Sequence, residues 1–393
     1  MEETSRARLV NVWHIGAWNR NIGDWALAYQ LHRLLNEQGR PRDVTFKFYM
    51  VDSQRTYFHQ ALVDQMNEEA DLILVGGGGL IFFRPEDKSI SGWSFNIEPE
   101  KVCALKKPLI VYAIGYNRFA YDETEFPPAT AEHLRITQAK AALFSVRNNG
   151  TRRTLIERYG LDPNKIDVVP DPGICLYDRP IEIRPKRNAA PFIAVNWAAD
   201  RPHQRYPKPS EENAKYFLIS LKTALVQSVK DLGTQILFLP HLMQIDTDIF
   251  EYFASGFPKG SIFSLHHELP YIYAPPGEML YAHVPFFTNV FRQADVLIGM
   301  RLHNCVLGFG AGKPFITLGS HPKLGFFAED TGLMKYKIPL VDPNEETPER
   351  MYATIAACLK DEAYKEQVRS ALCSELQKLR SFNERLLDLV SRS

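Results

Sequence analysis

Residues 9–36, LVNVWHIGAWNRNIGDWALAYQLHRLLN, decide the fold class. Residues 9–15 form a short apolar run typical of a buried strand, and residues 24–36 carry apolar side chains at helical spacing. The alternation continues, with predicted strands at 44–51, 72–75, 109–114, 142–146 and 168–169 and predicted helices at 128–141 and 149–159. Strands that alternate with helices indicate βαβ units and therefore a mostly parallel sheet.

The alternation stops after residue 175 and then starts again. Residues 176–191 are rich in proline and charge and lack periodicity, which is typical of an interdomain linker. Beyond them we predict strands at 192–196, 235–239, 296–298 and 314–318, helices at 214–231, 287–294 and 303–311, and a helical tail. The sequence thus predicts an α/β protein with two Rossmann-like domains facing across a cleft. We place the N-terminal domain at 1–178, the linker at 179–191, the C-terminal domain at 192–346 and C-terminal helices at 347–393.

The composition excludes several classes of function. The chain has 393 residues and 46 basic against 46 acidic side chains, so it can form two domains but carries no global field that attracts nucleic acid. No stretch reaches the roughly 18–20 consecutive apolar residues of a transmembrane segment, and the N-terminus lacks the pattern of a secretory signal. Five scattered cysteines without C-x-x-C spacing argue against a zinc site or a disulfide framework. We expect each to be a small buried side chain in a reducing cytoplasm.

Ligands of parallel sheets bind outside the carboxyl ends of the strands, and two loops of the first half lie there. In Asn21-Ile22-Gly23-Asp24, Gly23 permits close backbone approach and Asp24 lies where it could cap the next helix; taken alone, this loop is better explained as a plain capped turn. Residues 76–79 are four glycines, each costing roughly 0.5–1 kcal/mol relative to alanine in regular structure. A chain tolerates this where its backbone closely approaches a ligand or another segment, and a loop that contacts a ligand explains these glycines better than a plain tight turn. The loop lacks the Gly-Lys-Ser/Thr of a Walker A motif and a usable G-x-G-x-x-G.

Cations and a titratable side chain follow other predicted strands. Arg147 follows the strand at 142–146, where its guanidinium fork could bind a carboxylate or phosphate. In GMRLH at 299–303, the i, i+2 spacing of an extended segment puts Arg301 and His303 on one face. Arginine is permanently charged and histidine titrates near neutral pH, so this pair is a candidate catalytic centre. Lys323, after the strand at 314–318, is a second candidate cation for phosphate. His266, His267 and Glu268 lack metal-ligand spacing and are expected in a surface loop.

Together these segments resemble the polysaccharide pyruvyl transferase family. The resemblance spans roughly residues 10–335, and its pieces are NIGDWAL at 21–27, the strand and glycines at 71–80, KPLI at 107–110, AIG at 113–115, SVR at 145–147, DPG at 171–173, GMRLH at 299–303 and AGKP at 311–314. Three positions depart from the family pattern. Asn148 follows Ser-Val-Arg where Asp is common, Gly173 ends Asp-Pro-Gly where Ala is common, and His321 replaces the Asp of Asp-Pro-Lys.

The resemblance implies a GT-B-like fold, phosphoenolpyruvate as the donor, and a saccharide acceptor whose two hydroxyl groups become bridged by a pyruvate ketal. The donor's phosphate and carboxylate call for several cations but in principle for no metal, and no cofactor is implied. Arg147 and Arg301 would clamp the donor anion, assisted by Lys323. His303 would be the general acid or base, and Asp24 on the opposite domain would orient or deprotonate the acceptor. Further candidate contacts with substrate are Gly77, Gly78, Gly79, Asn21, His241, Met300 and Leu302.

Five ring-bearing side chains in long loops could stack on sugars, although packing in the core or in a lid explains them equally well: Trp93, Phe95, Trp197, His203 and Tyr206. Two other functions stay open. One is a GT-B glycosyltransferase with a nucleotide-sugar donor, in which Glu268 or Glu278 would hold the ribose, although Arg301 and His303 suit a small dianionic donor better. The other is an inactive member that only binds glycans. The sequence does not indicate whether the acceptor is lipid-linked, nucleotide-linked or a finished polymer, nor the oligomeric state.

Overall fold

Two parallel six-stranded sheets form the frame of the protein. The computed structural model describes residues 7–18, 21–87, 89–176, 190–267 and 276–392; the expected linker at 179–191 lies almost wholly outside them, as does Glu268. The first sheet comprises β1 (Arg8–Gly16), β2 (Val44–Asp52), β3 (Leu72–Gly76), β4 (Leu109–Ile114), β5 (Leu143–Val146) and β6 (Asp167–Val168). The second comprises β7 (Phe192–Asn196), β8 (Gln235–Phe238), β9 (Ile262–Ser264), β10 (Val296–Gly299), β11 (Phe315–Gly319) and β12 (Lys337–Pro339).

Helices connect these strands and cover the sheets. The N-terminal domain has α1 (Ile22–Gly39), α2 (Gln60–Glu69), α3 (Pro99–Ala104), α4 (Ala129–Lys140) and α5 (Asn149–Tyr159). The rest of the chain has α6 (Pro202–Arg205), α7 (Ser210–Leu232), α8 (Met243–Asp248), α9 (Phe250–Ala254), α10 (Pro276–Glu278), α11 (Val284–Gln293), α12 (Leu302–Gly310), α13 (Pro322–Asp330), α14 (Thr347–Lys360) and α15 (Glu362–Arg392). The predicted strands and helices are confirmed to within a few residues at each end. The short strands β9 and β12 were not predicted, and neither were the helices α2, α3, α6, α8, α9, α10 and α13.

Burial explains why the apolar runs form strands. Every residue of β3 and β4 is buried, because helices cover both faces of a parallel sheet and continuous apolar runs are what such strands require. Helix α1 is also buried over most of its surface, since it packs against its own sheet and against α11 and α12 of the C-terminal domain. The two domains therefore share one continuous hydrophobic core, which runs from Val10 to Val390.

The strand order places two switch points opposite each other. The first sheet has the order β2-β1-β3-β4-β5-β6 and the second β12-β11-β10-β7-β8-β9. The chain direction across the sheet reverses between β1 and β3 and again between β7 and β10, and crevices for ligands open at such points. The segments that follow these four strands begin at Ala17, Gly77, Trp197 and Met300, so the fold directs all four loops toward the cleft.

The two terminal helices attach to different domains. Helix α14 packs on α7 of the C-terminal domain, whereas α15 returns to the N-terminal domain. There Arg42 forms ion pairs with Glu384 and Asp388, and the hydroxyl of Tyr112 donates to Oδ1 of Asn383 at 2.7 Å. The described part of the tail, residues 347–392, is thus helical as predicted, but it connects both domains.

All five cysteines are free thiols, but Cys103 and Cys373 are exposed, so the expectation that each is buried is wrong for these two, both of which lie on helix surfaces. Among the described residues, no helix is long and apolar enough to cross a membrane.

Candidate active site

A cleft of about 560 Å³ lies between the two sheets at the carboxyl ends of their strands. Of the described residues, seven cationic side chains but only two carboxylates line it, although the formal net charge of the chain is zero. The cations are Arg55, Arg84, Arg147, Arg201, Arg205, Arg301 and Lys323, and the carboxylates are Asp24 and Asp200. Like charges concentrated in a cleft with low-dielectric walls favour a strongly anionic ligand.

The start of α1 brings the N-terminal domain against His303. Asn21 caps this helix by accepting a hydrogen bond from the backbone N–H of Gly23 at 3.0 Å, so the cap is Asn21 and not Asp24. The backbone N–H of Ile22, the residue before Gly23, donates to the carbonyl of His241 in the other domain at 3.1 Å. A Cβ at Gly23 would lie only 2.2 Å from Nδ1 of His303. The close approach that Gly23 permits is therefore an approach to the imidazole of the candidate catalytic residue.

Asp24 and His303 face each other from the two domains. Oδ1 of Asp24 lies 3.6 Å from Nε2 of His303, and both side chains are largely buried. The expected extended segment ends earlier than predicted: Arg301 is the N-cap of α12 and His303 lies in the first turn of that helix. Arg301 and His303 nevertheless line the same cleft, because the first turn of a helix that follows a strand end still points its side chains into the crevice.

Burial and nearby charge set the protonation of this pair. Burial, and then the positive charges of Arg147 and Lys323, lower the pKa of His303 well below its ordinary value. Burial raises the pKa of Asp24 to about 7, against the lowering effect of the same two cations. In the cleft without ligand, His303 is therefore neutral at pH 7 and Asp24 is the group that titrates near neutral pH.

The glycine loop leaves space beside Asp24. Gly77 and Gly78 have φ angles of 73° and 91°, in the left-handed region where glycine is favoured. A Cβ at Gly78 would lie 3.1 Å from Oδ1 of Asp24, and one at Gly79 would lie 3.0 Å from the side chain of Asn117. Of the three, Gly79 lines the cleft. The loop thus packs its backbone against polar groups of the site, which a side chain would obstruct.

Arg147 is fixed by a buried carboxylate. Its Nη1 lies 3.2 Å from Oδ2 of Asp171, and both side chains are almost fully buried. Oδ1 of the same aspartate accepts from the N–H of Gly173 at 3.1 Å. A Cβ at Gly115 would lie 2.2 Å from Nε of Arg147, so glycine is required there. This Nε is buried and has no hydrogen-bond partner among the described residues, so one donor of Arg147 is unsatisfied there.

Arg301 is held even more firmly, by two carboxylates. Its Nε donates to Oδ2 of Asp246 at 2.8 Å, and Nη2 donates to Oδ1 of Asp200 at 2.8 Å. Its backbone N–H donates to Oδ1 of Asn196 at 3.0 Å. Burial opposes the charge of Arg301, but Asp246 and Asp200 outweigh it and raise the pKa above its ordinary value. Most of the guanidinium fork is therefore engaged within the protein, and Arg301 contributes to the site chiefly through its position and charge.

Lys323 reaches the cleft from the first turn of α13. Its Nζ donates to Oδ1 of Asn117 at 2.9 Å. Burial, followed by the charges of Arg147 and Arg205, lowers the pKa of Lys323 well below its ordinary value. A bound anion would offset this repulsion and favour the ammonium form.

The three departures from the family pattern have local structural explanations. Oδ1 of Asn148 accepts from the N–H of Thr151 at 2.7 Å, and Nδ1 of His321 accepts from the N–H of Lys323 at 3.2 Å, so both caps are retained with other acceptors. A Cβ at Gly173 would lie 2.7 Å from Cδ2 of Leu27. Glycine therefore suits the contact with α1.

Several candidate residues lie outside the cleft. His241 is fully buried, with its ring 5.1 Å from that of Phe287, and Sδ of Met300 accepts from the N–H of Ala198 at 3.3 Å. Leu302 is also buried. None of the side chains of His241, Met300 and Leu302 is part of the cleft lining. Of the five candidate stacking residues, His203 is exposed, and the others are core residues: Trp93, Phe95, Trp197 and Tyr206.

Sequence reasoning missed four arginines and two carboxylates of the site, and one of these arginines, Arg55, follows β2. Arg201 and Arg205 lie in the segment after β7, and Asp200 precedes them; Arg84 follows the glycine loop, and Asp246 lies in α8. The rule that loops after strands carry chemistry applies to WAADRPHQR at 197–205 as well. The charges in that loop were the available signal.

Comparisons with known proteins agree with this architecture. A family model described as polysaccharide pyruvyl transferase matches residues 21–322. Among curated protein sequences, none matches this chain. Similar solved structures include a provisionally assigned UDP-N-acetylglucosamine 2-epimerase from Listeria monocytogenes, with a TM-score of 0.55, 12% identity, and coverage of 93% of this chain and 91% of that one. A glycosyltransferase from Rickettsia africae ESF-5 has a TM-score of 0.52, 10% identity and 98% coverage of both chains. At such identities the likeness shows the fold alone, a GT-B-like pair of Rossmann-like domains.

Proposed function

We propose, from the premise that this chain belongs to the polysaccharide pyruvyl transferase family, that it uses phosphoenolpyruvate to form a pyruvate ketal on a sugar of a glycan or glycan precursor. The observation that carries the proposal is the strongly cationic cleft with Asp24 and His303 facing each other in it. The coarser statement, a transferase that acts in polysaccharide pyruvylation, follows from the family itself.

The proposed reaction consumes two hydroxyl groups and no water. A proton is added to the methylene carbon of phosphoenolpyruvate, which makes C2 electrophilic, and one sugar hydroxyl then attacks C2. The bond between C2 and the bridging oxygen breaks, phosphate leaves, and the second hydroxyl closes the ketal. Of the two hydroxyl protons, one balances the new methyl group and the other leaves with the phosphate. The protein must therefore bind a phosphate and a carboxylate and move two protons.

Three cations are suited to the donor. Arg147 of the N-terminal domain has an Nε without a partner among the described residues. Lys323 and Arg301 add charge to the same cleft from the C-terminal domain. Side-chain cations and hydrogen-bond donors can hold both anionic groups of phosphoenolpyruvate, so we propose that no metal or cofactor is required. Because Asp171, Asp246 and Asp200 fix the two guanidinium groups in advance, little reorganisation is needed when the donor binds.

Donor binding would also change the protonation of the catalytic pair. The cations that lower the pKa of His303 would be neutralised by the donor, so that pKa would rise and the imidazole could carry the proton for the methylene carbon. The carboxyl of Asp24, with a pKa of about 7 before binding, can exchange a proton with the acceptor hydroxyl at neutral pH. His303 as acid and Asp24 as base on the acceptor is the assignment that we propose.

The test is a reaction of the protein with candidate acceptor glycans and either phosphoenolpyruvate or nucleotide sugars. We expect phosphate release from phosphoenolpyruvate together with a gain in acceptor mass of one pyruvate less one water. Release of nucleotide alone would refute the proposal in favour of a GT-B glycosyltransferase, whose fold the solved relatives share. Acceptor binding without turnover from either donor would instead indicate a protein that only binds glycans. Of the carboxylates considered for a ribose, Glu278 pairs with His283 at 3.1 Å, outside the cleft lining.

A further inference from the structure

The cleft continues outward into a second chamber of about 480 Å³ between the domains. The two spaces share Phe82, Arg84 and Arg201, and we call the second space the outer chamber. Its remaining walls come from both domains, among them Glu86 and the exposed His203. A chamber of this size can hold a group as large as a sugar phosphate.

Two arginines from opposite domains stack on one phenyl ring in the outer chamber. The guanidinium carbons of Arg84 and Arg201 lie 5.7 and 5.0 Å from the ring centroid of Phe82. Stacking on an aromatic face fixes the plane of a guanidinium group and with it the direction of its N–H donors. Since one arginine belongs to each domain, the arrangement exists only when the domains are positioned as they are here.

Arg201 combines a left-handed backbone with only a long ion pair to a carboxylate. Its backbone is left-handed, with φ 57° and ψ 54°, and such conformations cost free energy in residues other than glycine. Its nearest carboxylate oxygen, Oδ2 of Asp200, lies 3.9 Å from Nε. Burial lowers the pKa of Arg201, and the charges of Arg205 and Arg84 lower it further, against the effect of Asp200.

The local carboxylate is already engaged by other cations. Oδ1 of Asp200 accepts from Arg205 at 2.9 Å and from Arg301 at 2.8 Å. Arg201 itself makes no side-chain hydrogen bond to any described residue. Backbone strain is typically stored at functional sites, and repulsion between neighbouring cations is relieved when an anion binds. Both features at Arg201 therefore favour a site for a second anion.

The donor leaves the outer chamber available for such an anion. Phosphoenolpyruvate would occupy the inner cations Arg147 and Lys323, near Asp24 and His303. Resting on the proposed function, we propose that Arg84 and Arg201 bind a phosphate or diphosphate group on the acceptor. The acceptor is then a sugar phosphate or a diphosphate-linked sugar, and the charged group positions the sugar hydroxyls toward Asp24.

The test uses inorganic pyrophosphate as the probe and calorimetric titration of protein saturated with phosphoenolpyruvate. We expect pyrophosphate to bind the saturated protein, and the double variant Arg84→Gln/Arg201→Gln to weaken this binding roughly tenfold or more, as expected for lost hydrogen bonds between charged groups. Its affinity for phosphoenolpyruvate should stay within about twofold of wild type, which also shows that the variant is folded. The single variant Arg84→Gln should have an intermediate effect.

The matched control is Arg153→Gln, which removes a positive charge from the exposed face of α5, away from both chambers; it should bind pyrophosphate like wild type. Two outcomes would overturn the inference: competition between pyrophosphate and phosphoenolpyruvate for one site, or equal pyrophosphate binding by wild type and the double variant. Failure of phosphoenolpyruvate itself to bind wild type would count against the proposed function instead, and the response of pyrophosphate binding to the two arginines would then still report on the outer chamber.

A second measurement separates the sources of the phosphate. Wild type and the double variant are compared on one sugar presented as the free sugar, the sugar phosphate, the nucleoside-diphosphate sugar and the prenyl-diphosphate sugar. We expect KM to rise in the double variant for the phosphorylated acceptor that is used, with kcat little changed and KM for the free sugar unchanged. An equal rise of KM for the free sugar would contradict recognition of the charged group.

Discussion

For the substitution Gly23→Ala, the sequence and the structure predict opposite effects on stability. Alanine is the better helix former by about 1 kcal/mol, so local propensity alone predicts that the change in α1 stabilises the protein. The structure predicts the opposite, because the new Cβ would lie 2.2 Å from Nδ1 and 2.6 Å from Cγ of His303, whereas ordinary contacts begin at 3.4 Å.

The magnitude follows from the displacement that relieves this overlap. The imidazole or the helix start must move by about 1.2 Å to restore ordinary contact, and overpacking of this kind costs about 1–3 kcal/mol. A shift of about 1 Å at a catalytic group can lower the rate roughly 100-fold. We therefore expect Gly23→Ala to lower the free energy of unfolding slightly and kcat by about two orders of magnitude.

The assays are denaturant unfolding and steady-state phosphate release. Gly325→Ala in α13 is the control, because the nearest described atom to its Cβ is the flexible end of Lys337 at 3.9 Å; it should stabilise the protein by up to about 1 kcal/mol and leave turnover unchanged. In a His303→Gly background the overlapping atoms are absent, so Gly23→Ala should no longer destabilise. Unchanged stability and kcat in Gly23→Ala would refute the packing argument. Reduced stability with normal kcat would refute the role of His303.

Three further predictions concern the same site. His303→Ala should keep phosphoenolpyruvate binding, measured by calorimetry, but reduce turnover roughly 10²–10⁴-fold; undiminished turnover would contradict the proposed acid. Arg147→Ala should abolish the thermal stabilisation that phosphoenolpyruvate gives to wild type. This variant also loses stability, because Asp171 stays buried without its partner. The double variant Arg147→Ala/Asp171→Asn should therefore recover stability but not affinity for the donor. For Asp24, a folded pKa of about 7 lies above the unfolded value, so between about pH 4 and pH 7 the folded state binds more protons and stability falls as pH rises. Asp24→Asn should remove this dependence and lose turnover. Its free energy of unfolding should exceed that of wild type by an amount that grows with pH, to at most roughly 4 kcal/mol at pH 8. Parallel pH profiles of unfolding for the two proteins would contradict the raised pKa.

The candidate site could be predicted from the sequence where a single strand end carries the chemistry. Arg147, His303 and Lys323 each follow a strand that a run of apolar residues identified, and parallel strands bring their carboxyl ends to one edge. The partners of these residues could not be predicted in this way. Asp246 and Asp200, which engage Arg301, lie 55 and 101 positions before it in the chain, and no periodicity links residues at such separations.

Some errors have the same origin. His241 and Met300 follow or end strands as the site residues do, yet their side chains pack into the core, because only some positions of each loop point into the cleft. The protonation of His303 and Asp24 is likewise a property of the assembled cleft. Isolated pKa values predict a histidine that titrates near pH 7 and an ionised aspartate, whereas burial and surrounding cations give the reverse.

The sequence by itself determined the two α/β domains, the strand ends that carry cationic and titratable side chains, and the resemblance to one enzyme family, because hydrophobic periodicity and short motifs are local properties of a chain. The tertiary structure alone decided that Gly23 admits the imidazole of His303, that α15 returns to the N-terminal domain, and that Arg84 and Arg201 share the ring of Phe82. Each of these depends on distances between residues far apart in the chain. Packing of the whole protein sets such distances, and with them the burial and the electrostatic environment of the site.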